Sequence, residues 1–159
     1  MKQEKEVPMF SESVEFINLL VATMLVGGMF AVWLMFNTQG MDAGSYLIIQ
    51  QQGIRTLNPV LPGLGALSIL TTIVAAVLAR ENKVRLGCLA VAACCFIAAG
   101  LITRFRNQPI NAVVIRWTLE SLPAKWTCLR DQWWMWHRVR LLSGFVGLVL
   151  VIFANLRRL

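Results

Sequence analysis

The sequence predicts an all-α protein, a four-helix transmembrane bundle whose long fourth helix extends beyond the bilayer and whose polar side chains gather as a cap at one end. Three observations predict it. Of the 159 residues, 57% are hydrophobic and only 14% charged, where a soluble domain carries about 25% charged residues. The charges crowd between four long stretches that contain none, as expected when the solvent is lipid. Within those stretches Gly, Ala and Cys recur, and such small residues let helices approach closely in lipid.

The first span is expected at Phe16–Phe36, with Ser11 or Ser13 capping its start. At about 1.5 Å per residue this length covers a hydrocarbon core of roughly 30 Å. Glu4, Glu6, Glu12 and Glu15 precede it and a small-residue cleavage site is lacking, so it reads as a retained anchor and not as a signal peptide. Asn37–Asn58 follows as a connection, with a turn at Asp42–Ser45 and a short amphipathic helix at Tyr46–Leu57. Asn58 is expected to cap the second span, Leu61–Leu78, with Pro59 at its first position. The tight turn Arg80–Arg85 makes the second and third spans antiparallel neighbours, the third being Leu86–Thr103. After a long polar section, Ser121-Leu-Pro reads as a helix start. One helix is then expected from Pro123 to Arg157, with Leu141–Leu156 as the fourth span. No linker or internal repeat divides the chain, so residues 1–159 read as a single integral membrane domain.

The formal charge is +7. Because the bases flank apolar spans, anionic lipid headgroups are the expected partner, with no role for nucleic acid. Cys88, Cys94, Cys95 and Cys128 form no metal pattern, and three of them lie in an apolar helix as small hydrophobes. One histidine and eight scattered acids make no metal site, and no phosphate loop or serine elbow is present. The spans hold no acid, which argues against a proton-coupled pump. Asn18 and Thr23 read as helix contacts. An even number of spans puts both termini on one side with the Arg80–Arg85 turn. That side carries Lys2, Lys5, Arg80, Lys83, Arg85, Arg157 and Arg158, against Arg55, Arg104, Arg106, Arg116, Lys125, Arg130, Arg138 and Arg140 on the other. The counts nearly balance. The expectation of cytoplasmic termini rests on the second set being tied into a site instead of acting as free loop charge.

Chemistry-bearing residues collect on that second side. Gln50-Gln51-Gln52 with Arg55 and Asn58 is one element, and Asn107-Gln-Pro-Ile-Asn111 running on to Arg116 and Trp117 is another. The latter reads either as a turn with Asn111 capping a short helix, or as a set of donors at a membrane mouth. In the third element, Arg130, Trp133, His137 and Arg140 fall on one helix face at about 100° per residue. An interfacial belt would account for Trp126, Trp136 and Arg138. A histidine beside two arginines is expected to be neutral and able to accept a proton.

The run Asn107-Gln-Pro-Ile-Asn111, then Trp117, then Arg130-x-x-Trp133-x-x-x-His137-x-x-Arg140 resembles the anthrone oxygenase family, and the likeness extends over essentially the whole chain. Gln51 with the Asn58-Pro59 step resembles that family's polar patch before the second span. The resemblance implies a small four-helix membrane protein that uses O₂ and no cofactor to turn an anthrone, a tricyclic phenolic ketone, into the anthraquinone. It further implies that Trp133, Trp134 and Trp117 stack a flat substrate arriving from the bilayer, and that His137 removes a proton. Arg130, Arg140 or Arg116 with Asn111 would hold the oxyanion, and Asn107, Gln51, Arg55 and Asn58 would line the site. Which of Trp133, Trp134 and Trp136 faces the pocket stays open. A non-enzymatic accessory subunit or lipophile-binding protein is the alternative, and a small transporter is a third.

Overall fold

A computed structural model describes residues 9–35, 38 and 40–157. Five α-helices and one wide turn make up the fold: α1 (Met9–Met35), α2 (Ala43–Leu78), α3 (Lys83–Ile102), a π-helical turn (Thr103–Asn107), α4 (Gln108–Val114) and α5 (Trp126–Leu156). There are no strands among the described residues. Four helical stretches are long and apolar enough to cross a membrane, namely α1, α2, Lys83–Val114 and α5. Their outer faces expose Phe16, Leu70, Val77, Leu101 and Leu142. In water so large an apolar surface would drive aggregation; in lipid it is the surface that faces the solvent.

The helices begin and end differently from the sequence expectation in several places. α1 already runs from Met9, so Ser11 and Ser13 lie inside it. Ser13 donates back to the Met9 carbonyl and Ser11 to Glu15 Oε1. Phe36 and Asn37 lie outside the described residues, as do Lys2, Glu4, Lys5, Glu6 and Arg158. Asp42 does not open a turn but caps α2, its carboxylate accepting from the N–H groups of Gly44 and Ser45 and from the Ser45 hydroxyl. These hydrogen bonds hold its carboxyl below the usual carboxylate range, the Ser45 hydroxyl first among them.

The largest correction concerns α2. It runs unbroken for 36 residues through Pro59 and Pro62, so Asn58 caps nothing and the short separate helix does not exist. Each proline removes one ladder hydrogen bond. Breaking the helix would strand several backbone groups where water is scarce, which is worse. At about 1.5 Å per residue α2, like α5, is longer than a roughly 30 Å core requires, so α2 also contributes residues to the polar end. α5 begins at Trp126 and not Pro123, because Thr118 and Ser121 lock the preceding segment in reciprocal hydrogen bonds.

α1, α2, α3 and α5 surround one apolar core built from Ala22, Leu25 and Met29 of α1, Ala75 of α2, Leu89, Ala92 and Phe96 of α3, and Val151 and Ala154 of α5. α5 passes very close to its neighbours. A Cβ at Gly147 would lie 2.9 Å from the Phe96 ring, and one at Gly144 would lie 2.6 Å from Met29 Cε. Asn18 is a helix contact, accepting from the hydroxyls of Thr71 and Thr72 on α2. A second cluster around Val32, Tyr46, Leu47, Ile110, Val114, Trp133 and Trp134 fills the polar end.

At the opposite end Arg85 joins three helices. Its Nη2 lies 2.7 Å from Glu15 Oε1, and its Nε donates to the Ala154 carbonyl. Both side chains of this pair are nearly buried, at 12% and 10% exposure, whereas Arg80 and Glu81 are 75% and 88% exposed. Glu15→Gln strands the Arg85 cation and is expected to cost about 3 kcal/mol in detergent-driven unfolding of the purified protein. Glu81→Gln is expected to leave the same transition where it was.

Candidate functional site

Trp133, His137 and Arg140 recur at spacings that stack them on one face of α5. His137 is completely buried. Its ring lies parallel to that of Trp133, 5.2 Å between centroids and 1° between planes, with Trp134 also stacked against it at 5.7 Å. Nε2 sits 3.1 Å from the Met29 carbonyl oxygen on α1. Nδ1 lies 3.1 Å from Nε and 2.9 Å from Nη2 of Arg140. A carbonyl only accepts and a guanidinium only donates. The imidazole therefore carries its proton on Nε2 and turns the Nδ1 lone pair to Arg140.

Arg140 is 6% exposed. Its Nη1 donates to Thr103 Oγ1 at 3.1 Å, and its guanidinium carbon lies 5.9 Å from the Trp133 ring centroid. Every one of these partners is neutral. Among the described residues the ion pairs join Glu15 to Arg85, Glu81 to Arg80 and Asp131 to Arg130, so none involves Arg140. Three of its N–H groups are used, and of the five that a guanidinium offers, about two are left for a ligand.

Thr103 and the two asparagines reach this place because the chain changes pitch. Pro109 has no N–H, and its ring would collide with the carbonyl four residues earlier in a regular helix. The wide turn Thr103–Asn107, closed by the Gln108 N–H on the Thr103 carbonyl, accommodates it. Asn107 Nδ2 then donates to the Trp133 carbonyl, while Trp133 Nε1 donates to Asn111 Oδ1 at 2.8 Å. Asn111 Nδ2 in turn donates to Asn58 Oδ1 on α2. Asn111 thus lies within α4 and ties three helices, instead of capping a short one.

Two cavities meet at Arg140. The inner one, about 40 Å³, has polar walls of Gln50, Asn58, Thr103, Asn111 and Arg140, with Val32, Ile54, Leu57, Leu61, Pro62 and Trp133 among the rest. It has room for a few waters. Gln50 is 2% exposed, and its Oε1 has no hydrogen-bond partner. The outer cavity is larger, about 230 Å³, and chiefly apolar: Leu25, Met29, Leu61, Pro62, Gly65, Ala66, Ile69, Phe96, Ala99 and Gly100, closed by Thr103, Arg104, Gln108 and Arg140. The two share Leu61, Pro62, Thr103 and Arg140. Hydropathy begins or ends spans at Leu61, Thr103 and Leu141, so the junction sits where the apolar sections stop.

The family model for anthrone oxygenase matches residues 54–150. The chain belongs to the anthrone oxygenase family. No curated protein and no solved structure matches it. The region matched to the anthrone oxygenase family contains Asn58, Thr103, Asn111, Trp133, His137 and Arg140, while Met29 and Val32 of α1 and Gln50 of α2 join the site from positions before it.

Of the residues that the sequence points to, Asn58, Asn111, Trp133 and Arg140 line the inner cavity, and Asn107 and His137 support them from behind. Trp134 lines neither cavity and is committed to His137. Arg130 shares the stripe's angle but not its height. It lies two turns, about 10 Å, from His137 along α5, where it bonds to Asp131 and covers Trp126. Gln51 closes the end of α4 by donating to the carbonyls of Val114 and Trp117. The Trp117 ring packs into the second cluster, and Arg55 and Arg116 are exposed. The sequence points to Gln51 more than to Gln50, to Thr103 only as the end of a span, and to the small residues only as helix-packing surfaces, not as cavity walls. Gln50 was one of three consecutive glutamines, and Thr103 looked like the last residue of a span.

Since the chain has one histidine, its tautomer is directly measurable. In protein labelled with ¹⁵N-histidine, Nδ1 is expected to give the shift of an unprotonated ring nitrogen and Nε2 that of a protonated one at neutral pH. The reverse pattern, or two protonated nitrogens, would contradict the hydrogen bonds described.

Proposed function

We propose that the protein is a membrane-embedded, cofactor-independent oxygenase acting on a lipophilic aromatic ketone of the anthrone type. One observation carries the reading: a buried guanidinium with only neutral partners stands where a polar cavity meets an apolar one. Such a cation is unmatched until an anion arrives, and the reaction makes one. Removal of a proton from the CH₂ opposite the ketone gives an enolate whose charge rests on oxygen. Arg140 is the donor for that oxygen, in a site of low dielectric where the contact is strongest; the Thr103 hydroxyl donates to the Ala99 carbonyl and holds the guanidinium as an acceptor. The electron-rich carbon then adds O₂, and protonation gives a hydroperoxide. Loss of water leaves the quinone, so anthrone plus O₂ becomes anthraquinone plus water.

His137 serves this chemistry by holding Arg140. It lines neither cavity, indole rings cover it, and both nitrogens are engaged. The proton is released instead to water in the inner cavity, ordered by Gln50, Asn58 and Asn111. With emodin anthrone as substrate and O₂ uptake as readout, Arg140→Gln is expected to lower kcat/KM by about 10²-fold or more. His137→Asn keeps an acceptor near Nδ1 and is expected to stay within about tenfold of wild type, whereas His137→Leu falls to the level of Arg140→Gln. Equal loss in the Asn and Leu variants would make His137 the base.

The apolar outer cavity also supports the alternative of a lipophile-binding or accessory membrane protein, and absence of O₂ uptake across phenolic ketones would favour it. For orientation, the same arginines count: Arg140 is buried and Arg130 is nearly buried and paired with Asp131, which removes these two from the free loop charge. Both termini are accordingly assigned to the cytoplasm. A C-terminal alkaline phosphatase fusion should be inactive and a C-terminal fluorescent fusion bright; the opposite pair of results reverses the assignment.

A further inference from the structure

Two observations bear on what the outer cavity holds. Its walls are made of small residues where α2 faces α3. A Cβ at Gly65 would meet nothing within 4 Å, and one at Gly100 nothing nearer than Ile69 at 3.9 Å. Neither glycine is needed for close packing, unlike Gly144 and Gly147. Their missing side chains leave a space open towards the lipid-facing side of the helix pair. The second observation is charge. Among the described residues, the ionisable side chains lining the cavity are Arg140 at its inner end and the exposed Arg104 at its rim, with no carboxylate on its wall. An apolar space with a buried, unmatched cation at its end suits an apolar body bearing a single negative oxygen group.

We infer that this cavity binds a planar lipophilic anion, which slips in sideways between α2 and α3 with its rings against Gly65, Ala66, Ala99 and Gly100 and its oxyanion on Arg140. This reading rests on the site proposed above and changes where the substrate's rings lie. They occupy the α2–α3 cavity and not the indoles, because Trp134 and one face of Trp133 are already spent on His137. The site then holds the deprotonated form of its ligand more tightly than the neutral form, which favours loss of the proton to the inner cavity once the ligand is bound.

The test needs no turnover. The full-length protein in lipid nanodiscs is titrated with anthracene-9-carboxylate, with neutral anthracene-9-methanol and with laurate, empty nanodiscs serving to subtract partitioning. The flat anion is expected to bind at least about tenfold more tightly than the flat alcohol, the advantage of a charge-assisted hydrogen bond in a dry site. It should also displace laurate at a small fraction of the laurate concentration. Arg140→Gln should erase the difference between acid and alcohol, and Gly65→Leu should weaken both flat ligands by a similar factor. Equal binding of acid and alcohol by the wild type overturns the anion site, whether or not any variant folds. Laurate matching the flat acid overturns the planar ligand, and unchanged binding in a folded Gly65→Leu protein overturns the cavity. O₂ uptake without anion preference would sink this inference alone; anion preference without O₂ uptake would sink the oxygenase reading alone.

Discussion

The site depends on one hydrogen-bonded pair, the Nδ1 lone pair of His137 facing the guanidinium of Arg140. A cation buried among apolar helices is costly, and the usual remedy is a carboxylate. Here the remedy is partial: an imidazole lone pair, a threonine hydroxyl and the face of an indole. Each lowers the cost without cancelling the charge. A carboxylate in the same position would occupy the fork and leave nothing for a substrate. The neutral partners keep Arg140 folded into the protein while preserving its appetite for an anion.

That arrangement constrains its surroundings in turn. For Nδ1 to be a pure acceptor, Nε2 must be a donor, and the Met29 carbonyl on α1 supplies the partner. For the ring to stay at that angle, Trp133 and Trp134 must hold it on its flanks. Trp133 is fixed by Asn111 through its N–H and by Asn107 through its carbonyl, and these two asparagines reach it because the π-helical turn before Pro109 resets the helix. The tryptophans thus frame the site, and Trp133 also lines the smaller cavity. The larger cavity comes from another source, the stretch of α2 from Asn58 to Ala66. There α2 stays helical through two prolines, and the small residues after them keep it thin, so that α2 and α3 do not fill the volume between them.

Much of this was legible in the residues. Charge-free stretches marked the spans, the Arg80–Arg85 turn made α2 and α3 neighbours, and the spacing of Trp133, His137 and Arg140 put them on one face. The motif around Asn107 and Asn111 carried the family. Other residues misled for identifiable reasons. Asn58-Pro59 has the form of a helix start, but in apolar surroundings the helix continues through it. Arg130 has the right angle on α5 and the wrong height, since periodicity gives direction around an axis and not the reach of a side chain. Gln51 and Gln50 are indistinguishable in sequence; a rotation of about 100° separates a helix-end clasp from a cavity wall.

By itself, then, the amino-acid sequence determined the helical framework, its apolar surface, the end at which the polar groups lie and the family to which the chain belongs. These follow from local rules of hydropathy, periodicity and motif spacing. Tertiary structure alone decided which polar groups meet, which tautomer His137 holds, and that Arg140 stands at the junction of two cavities. Those features depend on contacts between helices far apart in the chain, where a difference of a few ångströms separates a ligand-binding donor from a structural one.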